Sequence, residues 1–376
     1  MILLNVFISI IMTLLILNII VIVHEFGHYI TAKKFGVAIN EFSIGMGPAL
    51  YQKRKKQHRF VFFNKNKEFE PDEFKFSIRA LPIGGFVKLK GEEDTSTDPD
   101  SFSQLKPWKK LIVFLAGAFM NLILGLLCIT IIATFMIDCD ITTKVSDFVP
   151  ITLESGETVE PLSNTTGLMQ GDEIFKINGN RTHDTTDIQY ELALANKEAV
   201  DVEVIRNGKH IVLENVKFPC NEIDGLKALS MDFRVLGEEK TFVGTVKYIG
   251  NNMLAVIKMV YRSLAGLITG QIPASSMSGI VGVTATVSES MNAGMSLFDT
   301  IYYFLYLAFI LTINIGLFNV LPIPALDGGQ SCACIFEMIT KKKIPEKVYQ
   351  TVTTVFFILL LGLMAVITLK DVINLF

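Results

Sequence analysis

The sequence predicts an α-helical membrane protein with four transmembrane helices, a cytoplasmic-side β-hairpin or re-entrant element, and one extracytoplasmic β-rich domain. Three observations carry that prediction. Half of the 376 residues are apolar and only 19% are charged. Four stretches lack any charged residue over lengths that span a bilayer, and the loops between them differ sharply in charge. A mean hydropathy of +0.45 lies well above that of a water-soluble globular chain, which excludes a purely cytosolic enzyme.

The charge-free stretches run from Met1 to Val23, Leu111 to Ile137, Ile301 to Leu326 and Val348 to Leu369, 23, 27, 26 and 22 residues long. Each is long enough to cross an apolar core about 30 Å thick as a helix. Between Thr31 and Lys110 there are 16 Lys and Arg against 10 Asp and Glu, a net of +6; between Asp138 and Gly250 there are 11 against 20, a net of −9. Positive loops stay in the cytoplasm, so the first loop is read as inside and the second as outside, with both termini extracytoplasmic. Lys341, Lys342 and Lys343, just before the last stretch, then fall inside as well. Topology accounts for these lysines, and no nucleic-acid surface is indicated. Met1 to Val23 lacks a basic n-region and an A-x-A-like cleavage site, and is read as a retained span.

Four regions follow: 1–137, with two spans and the cytoplasmic β loop; 138–240, the β-rich domain; 241–300, an amphipathic or interfacial segment; and 301–376, with the last two spans. In the second region, alternating runs at Val202 to Ile205 and His210 to Leu213 flank Asn207-Gly208, a strong hairpin signal. Gly167 to Ile174, followed by Ile177-Asn178-Gly179-Asn180, resembles the second half of a bacterial protease-type PDZ domain, with Asp187 to Ala195 as its next helix. From Phe242 the apolar residues Val246, Ile249, Met253, Val256, Val260 and Leu264 recur at helical spacing, as in a helix lying on a membrane surface. The Gly-, Ser- and Thr-rich stretch 271–294 is read as re-entrant or interfacial. On the cytoplasmic side, Pro82, Gly84 and Gly85 inside Phe74 to Lys90 predict strands with a sharp bend. Cys139 and Cys220 share the outside segment and are either free or paired.

The chemistry concentrates in His24-Glu25-Phe26-Gly27-His28, which continues the first span. Residues four apart share a helix face, so both imidazoles converge on one metal ion, with Glu25 beside them to take a proton from water. Ionisable groups at the end of an apolar span are costly without partners and mark function. A catalytic zinc site needs a third protein ligand. Asp327 is the only acid in Asn319 to Gly329, at the cytoplasmic end of the third span, where Pro322 and Pro324 must break the helix. His58, His183 and His210 lack ligand-like spacing and are read as solvated.

On these motifs the chain resembles the site-2 proteases, membrane-embedded zinc metalloproteases, and within them the bacterial RseP-type group. The resemblance rests on HEFGH at 24–28, on the N-x-x-P-x-P-x-L-D-G pattern at 319–328, on the span order and on the PDZ-like unit. Glu41 to Pro48 is similar to the family's F-S-I-G-x-G segment, and Pro82 to Leu89 to its P-x-G-G-[YF]-V-K strand. Gly117 to Asn121 departs from the family's G-P-x-x-N by Ala118 in place of Pro, while Asn121 matches.

The resemblance implies zinc held by His24, His28 and Asp327, Glu25 as general base, and cleavage of peptide bonds within or beside transmembrane helices in a bacterial cytoplasmic membrane. It implies single-pass substrates trimmed beforehand by another protease, such as anti-sigma factors or remnant signal peptides. By the same motif Asn319 either holds substrate or shapes the broken span. The bent strand with Gly84, Gly85, Phe86 and Val87 is expected to pair with an unwound substrate. Two other readings remain at this level: a catalytically inactive scaffold that binds through the PDZ-like domain, and a metal transporter, which the absence of an internal repeat disfavours.

Overall fold

A computed structural model describes residues 2–54, 57–60, 74–92, 97–152, 156–223, 226–273, 277–292 and 296–374. Among them are four helices long and apolar enough to cross a membrane: Val6–Lys34, Pro107–Phe135, Leu297–Val320 and Glu346–Ile373. Two units divide the chain, Met1–Cys128 with Met277–Phe376, and Ile129–Ser276.

In the first unit, α1 (Ile2–Lys34) runs unbroken through the HEFGH motif and beyond, because nothing between Val23 and Lys34 breaks a helix. Next come β1 (Ile39–Arg54), β2 (Gln57–Phe60) and β3 (Lys75–Leu89), in the order β2-β1-β3. Both long strands fold back on themselves, β1 at Gly45 and Gly47 and β3 around Gly84, all with positive φ. Residues 41–44 of β1 therefore pair with 85–88 on one side and with 75–78 on the other. The segment 85–88 is left as an edge, as the bend signal predicts. The sheet is tied internally by Glu41, whose buried carboxylate meets Arg79 at 2.6 Å and Lys75 at 3.4 Å.

The helix α2 (Pro107–Phe135) starts on proline, which suits a first turn whose N–H groups have no partners. The stretch 271–294 contains α6 (Ile280–Asn292), a helix that packs on α1 and on α9 (Glu346–Asn374); residues 274–276 and 293–294 of that stretch lie outside the described residues. Buried Asp371 of α9 accepts from the N–H groups of Gly279 and Gly282 at 2.8 and 2.9 Å, placing a carboxylate where a helix start has unpaired donors. α7 (Leu297–Val320) begins at a Ser296 cap and stops before Pro322. An additional helix, α8 (Asp327–Thr340), follows. Its first turn folds back tightly: a Cβ on Gly328 would lie 2.1 Å from the Leu321 carbonyl oxygen, and one on Gly329 2.4 Å from that of Ile323. Ala32, Val37, Ile39, Leu89, Phe102, Val113, Phe114 and Cys334 pack into one core that joins α1, the sheet, α2 and α8.

The second unit carries the β-rich domain. Its main sheet runs β10 (Lys209–Lys217), β9 (Ala199–Arg206), β7 (Glu173–Ile177), β4 (Cys139–Phe148), β13 (Phe233–Glu239), with β8 (Asn180–Arg181) on β7. Two short pairs flank it, β5 (Ile151–Thr152) with β6 (Thr158–Val159) and β11 (Cys220–Ile223) with β12 (Leu226–Leu229). The β9–β10 turn is Asn207-Gly208, both residues at positive φ, as the hairpin signal requires. A short α3 (Leu162–Thr165) precedes α4 (Thr185–Ala193), which Asp184 caps, two residues upstream of its predicted start. Leu168, Ile174, Ile177, Ile188, Leu192, Val202 and Val204 are fully buried in the core. The amphipathic segment forms α5 (Phe242–Thr269), which belongs to this unit and not with α6. Its cations Lys258 and Arg262 meet Asp187 and Glu191 of α4. Cys139 and Cys220 are both free thiols.

Candidate metal centre

Helical spacing on α1 brings His24 and His28 to one face, and the break after α7 carries Asp327 to them. The three donor atoms lie close together: His24 Nε2 to Asp327 Oδ2 is 3.0 Å, His28 Nε2 to the same oxygen 3.3 Å, and the two imidazole nitrogens 3.2 Å apart. A tetrahedral zinc with ligands at about 2.0–2.1 Å holds them roughly 3.3 Å apart, so the donor set matches that ion in number, type and spacing. Among the described residues this is the group of His, Cys, Asp and Glu side chains close enough to share a metal.

Space for the ion comes from α2. A Cβ on Gly117 would lie 2.5 Å from His28 Nε2 and 2.6 Å from His24 Nε2, so only glycine leaves the volume between the two nitrogens open. The tautomer of His28 is set by its surroundings. Its Nδ1 lies 2.8 Å from the Val113 carbonyl oxygen, which can only accept, so Nδ1 carries the proton and Nε2 presents its lone pair to the centre. Asp327 supplies the one carboxylate among the three donors.

Glu25 projects beside this cluster and accepts a hydrogen bond from the Val87 backbone N–H at 3.1 Å. The edge segment of β3 thus reaches the acid next to the ligands. A cavity of about 190 Å³ opens here, lined by Glu25, His28, Phe86, Val87, Val113 and Asp327, among others. Phe86 stacks under Arg79, whose guanidinium carbon is 4.9 Å from the ring centroid. Gly84 supplies the bend, and Gly85 lies so close to β1 that a Cβ would come within 2.7 Å of the Ser43 carbonyl oxygen. Asn18 of α1 donates to the Pro82 carbonyl, tying that bend to the helix.

Of the predicted site residues, His24, Glu25, His28, Asp327, Phe86 and Val87 are brought together, with Gly84 and Gly85 in the strand that delivers them. Asn319 lies half-buried in the last turn of α7 and hydrogen-bonds to none of the three donor residues among the described residues. Val113 and Gly117 did not stand out in the sequence as site residues; their i, i+4 spacing on α2 was the available signal. His210 is exposed, as expected, with Glu203 2.9 Å from its imidazole, whereas His183 is not simply solvated: its half-buried imidazole faces Asp187 at 3.0 Å. The side chain of His58 lies outside the described residues.

Known proteins resemble the chain along nearly its full length. The profile described as Peptidase family M50 matches residues 12–66 and 63–363. The chain is 34% identical to "Putative zinc metalloprotease CPE1693" of Clostridium perfringens, over 97% of this chain and 98% of that protein. It is 32% identical to "Putative zinc metalloprotease CA_C1796" of Clostridium acetobutylicum, over 98% of each. Zinc metalloprotease RasP of Shouchella clausii is 25% identical over 96% of this chain and 98% of its own length. With His24 and His28 in the first matched segment and Asp327 in the second, the chain belongs to Peptidase family M50.

Proposed function

We propose that the protein is a zinc-dependent intramembrane endopeptidase that hydrolyses peptide bonds in or beside the transmembrane segments of other membrane proteins. One observation carries the reading: two imidazoles and a carboxylate converge at 3.0–3.3 Å with Glu25 alongside, at the junction of apolar helices. His24, His28 and Asp327 would hold the zinc, which when bound acidifies a water molecule and polarises the scissile carbonyl. Glu25 takes a proton from the attacking water as its oxygen bonds to the carbonyl carbon. The same carboxyl group returns that proton to the amine as the C–N bond breaks. Products are one new carboxylate and one new amine.

A helical substrate must unwind to expose a carbonyl, and its freed backbone groups need partners inside lipid. The edge segment Gly84 to Val87 offers them by strand addition, and the Val87 contact with Glu25 sets that edge beside the acid. Asn319, in the last turn of α7, holds substrate or keeps the broken span in shape. Both termini and the PDZ-like β domain lie outside a bacterial cytoplasmic membrane, and the metal on the inner side, as the loop charges indicate. On that side the β domain excludes substrates with bulky outer portions until another protease trims them. Anti-sigma factors and remnant signal peptides are substrates of this kind.

Glu25→Gln tests the catalytic reading. Zinc should stay bound, since Glu25 is not among the ligands, while cleavage of a single-pass membrane substrate should fall by about 10²–10⁴-fold, the worth of a positioned acid–base group. Cleavage at the wild-type rate would refute the assignment, and loss of zinc would make Glu25 a ligand instead.

A further inference from the structure

His28 has its tautomer set by a carbonyl, but His24 has no such partner. The group facing its Nδ1 is the side-chain amide of Asn121, fully buried on α2, with Nδ2 at 3.4 Å. In that orientation the amide would donate to Nδ1, leaving the imidazole proton on Nε2, the atom that faces His28 and Asp327. A proton there blocks a metal ligand. Meanwhile Asn121 Oδ1 is buried and receives no hydrogen bond. A half-turn of the amide exchanges its oxygen and nitrogen and puts this unused acceptor against Nδ1. The Nδ1–H then donates to Oδ1, and Nε2 is left with its lone pair directed at the centre.

We propose that Asn121 is the positioning residue of His24, accepting its Nδ1–H through Oδ1 and so fixing the tautomer and ring orientation that bind the metal. The assignment rests on the metal reading above. The backbone supports it. Asn121 stands four residues after Gly117, so one face of α2 supplies both the space for the ion and the acceptor behind its ligand. α7 packs directly on that turn: Thr312 Oγ1 donates to the Asn121 carbonyl at 3.1 Å, and a Cβ on Gly316 would lie 3.1 Å from Asn121 Cβ. The amide is thus held against His24 by a neighbouring helix. The third hydrophobic helix supports a ligand on the first through the second.

The test compares full-length wild type, Asn121→Asp and Asn121→Leu in detergent, titrated with zinc against a competing chelator. Thermal unfolding is followed with zinc and without metal. Asp keeps the acceptor and removes the donor; Leu keeps the approximate volume and removes both. Asn121→Leu should weaken zinc binding by about 10–100-fold, the usual effect of losing such a partner, with metal-free unfolding near the wild-type temperature. Asn121→Asp should bind zinc at least as tightly as wild type. Wild-type zinc affinity in Asn121→Leu overturns the proposal, as does a tenfold or greater loss in Asn121→Asp, which would make the amide a donor. If Asn121→Leu does not accumulate, Asn121→Ala, which also removes the acceptor, takes its place with the same expected and overturning results. A wild-type protein that binds no zinc would sink the metal reading itself, a different failure from zinc bound equally by all three.

Discussion

Adding one methyl group at Gly117 should empty the metal centre without unfolding the protein. The Ala Cβ would lie 2.5–2.6 Å from His28 Nε2 and His24 Nε2, where an ordinary contact needs roughly 3.5 Å. Each nitrogen must therefore retreat by about 0.9 Å, several times the roughly 0.2 Å that zinc–ligand distances tolerate. The loss should exceed the upper end of that for an outer-shell change, more than about 100-fold in zinc affinity, or about 2.8 kcal/mol. The metal-free protein faces the opposite balance. Alanine is favoured over glycine inside a helix by about 0.5–1 kcal/mol, and swinging the His28 ring off the Val113 carbonyl costs about the same. Zinc titration against a chelator, with thermal unfolding of metal-free and zinc-loaded protein, separates the two effects. Wild-type zinc affinity in Gly117→Ala would refute the reasoning. So would a large fall in the metal-free unfolding temperature, because Gly117 would then serve helix packing and not the ion.

The structure leads to three further expectations. Asp327→Ala leaves two imidazoles, too few for a catalytic zinc site; zinc content should fall well below one per chain, and full retention would mean that another residue is the third ligand. Val87→Pro removes the N–H that meets Glu25 and a donor of the free edge; cleavage and substrate crosslinking should both drop at least about tenfold, as loss of 1.4 kcal/mol or more implies, and normal values for both would count against strand addition. Glu41→Gln removes the buried carboxylate that Arg79 and Lys75 both face and should destabilise the β sheet by roughly 3–5 kcal/mol. Burial raises the Glu41 pKa, but Ser77, Arg79 and Lys75 outweigh it and hold it below its usual 4.5. A depressed carboxyl pKa contributes stability that is complete above pH 4.5 and is lost as pH falls through the depressed value. Acid unfolding of the wild type should carry that component, Glu41→Gln should lack it, and identical acid profiles would show that the ion pairs add nothing.

Much of this architecture was legible in local pattern. Unbroken apolar runs locate the helices because lipid forces backbone hydrogen bonds to close within a helix: the run from Val348 falls inside α9, the run from Leu111 passes the end of α2 by two residues, and the run from Ile301 continues six residues past α7, through the two prolines. Asn207-Gly208 and the Pro82–Gly85 bend were readable for a similar reason, since few residues adopt the required backbone angles. α6 and α8 were less so. The first is short and held partly by Asp371, 79 residues beyond its end at Asn292, and the second follows two prolines that read as a simple termination.

Sequence by itself determined that two histidines share a helix face, that an acid stands beside them, and that an isolated carboxylate ends a distant apolar run. Covalent spacing and helix periodicity suffice for these, because the residues are neighbours along the chain or stand out by composition. Only tertiary structure decided that Asp327 Oδ2 reaches both Nε2 atoms, that Gly117 leaves the volume between them open, and that Asn121 and Val113 stand behind the rings. These depend on how α1, α2 and the start of α8 approach one another. Such distances are set by side-chain packing across elements, which no periodicity within one element encodes.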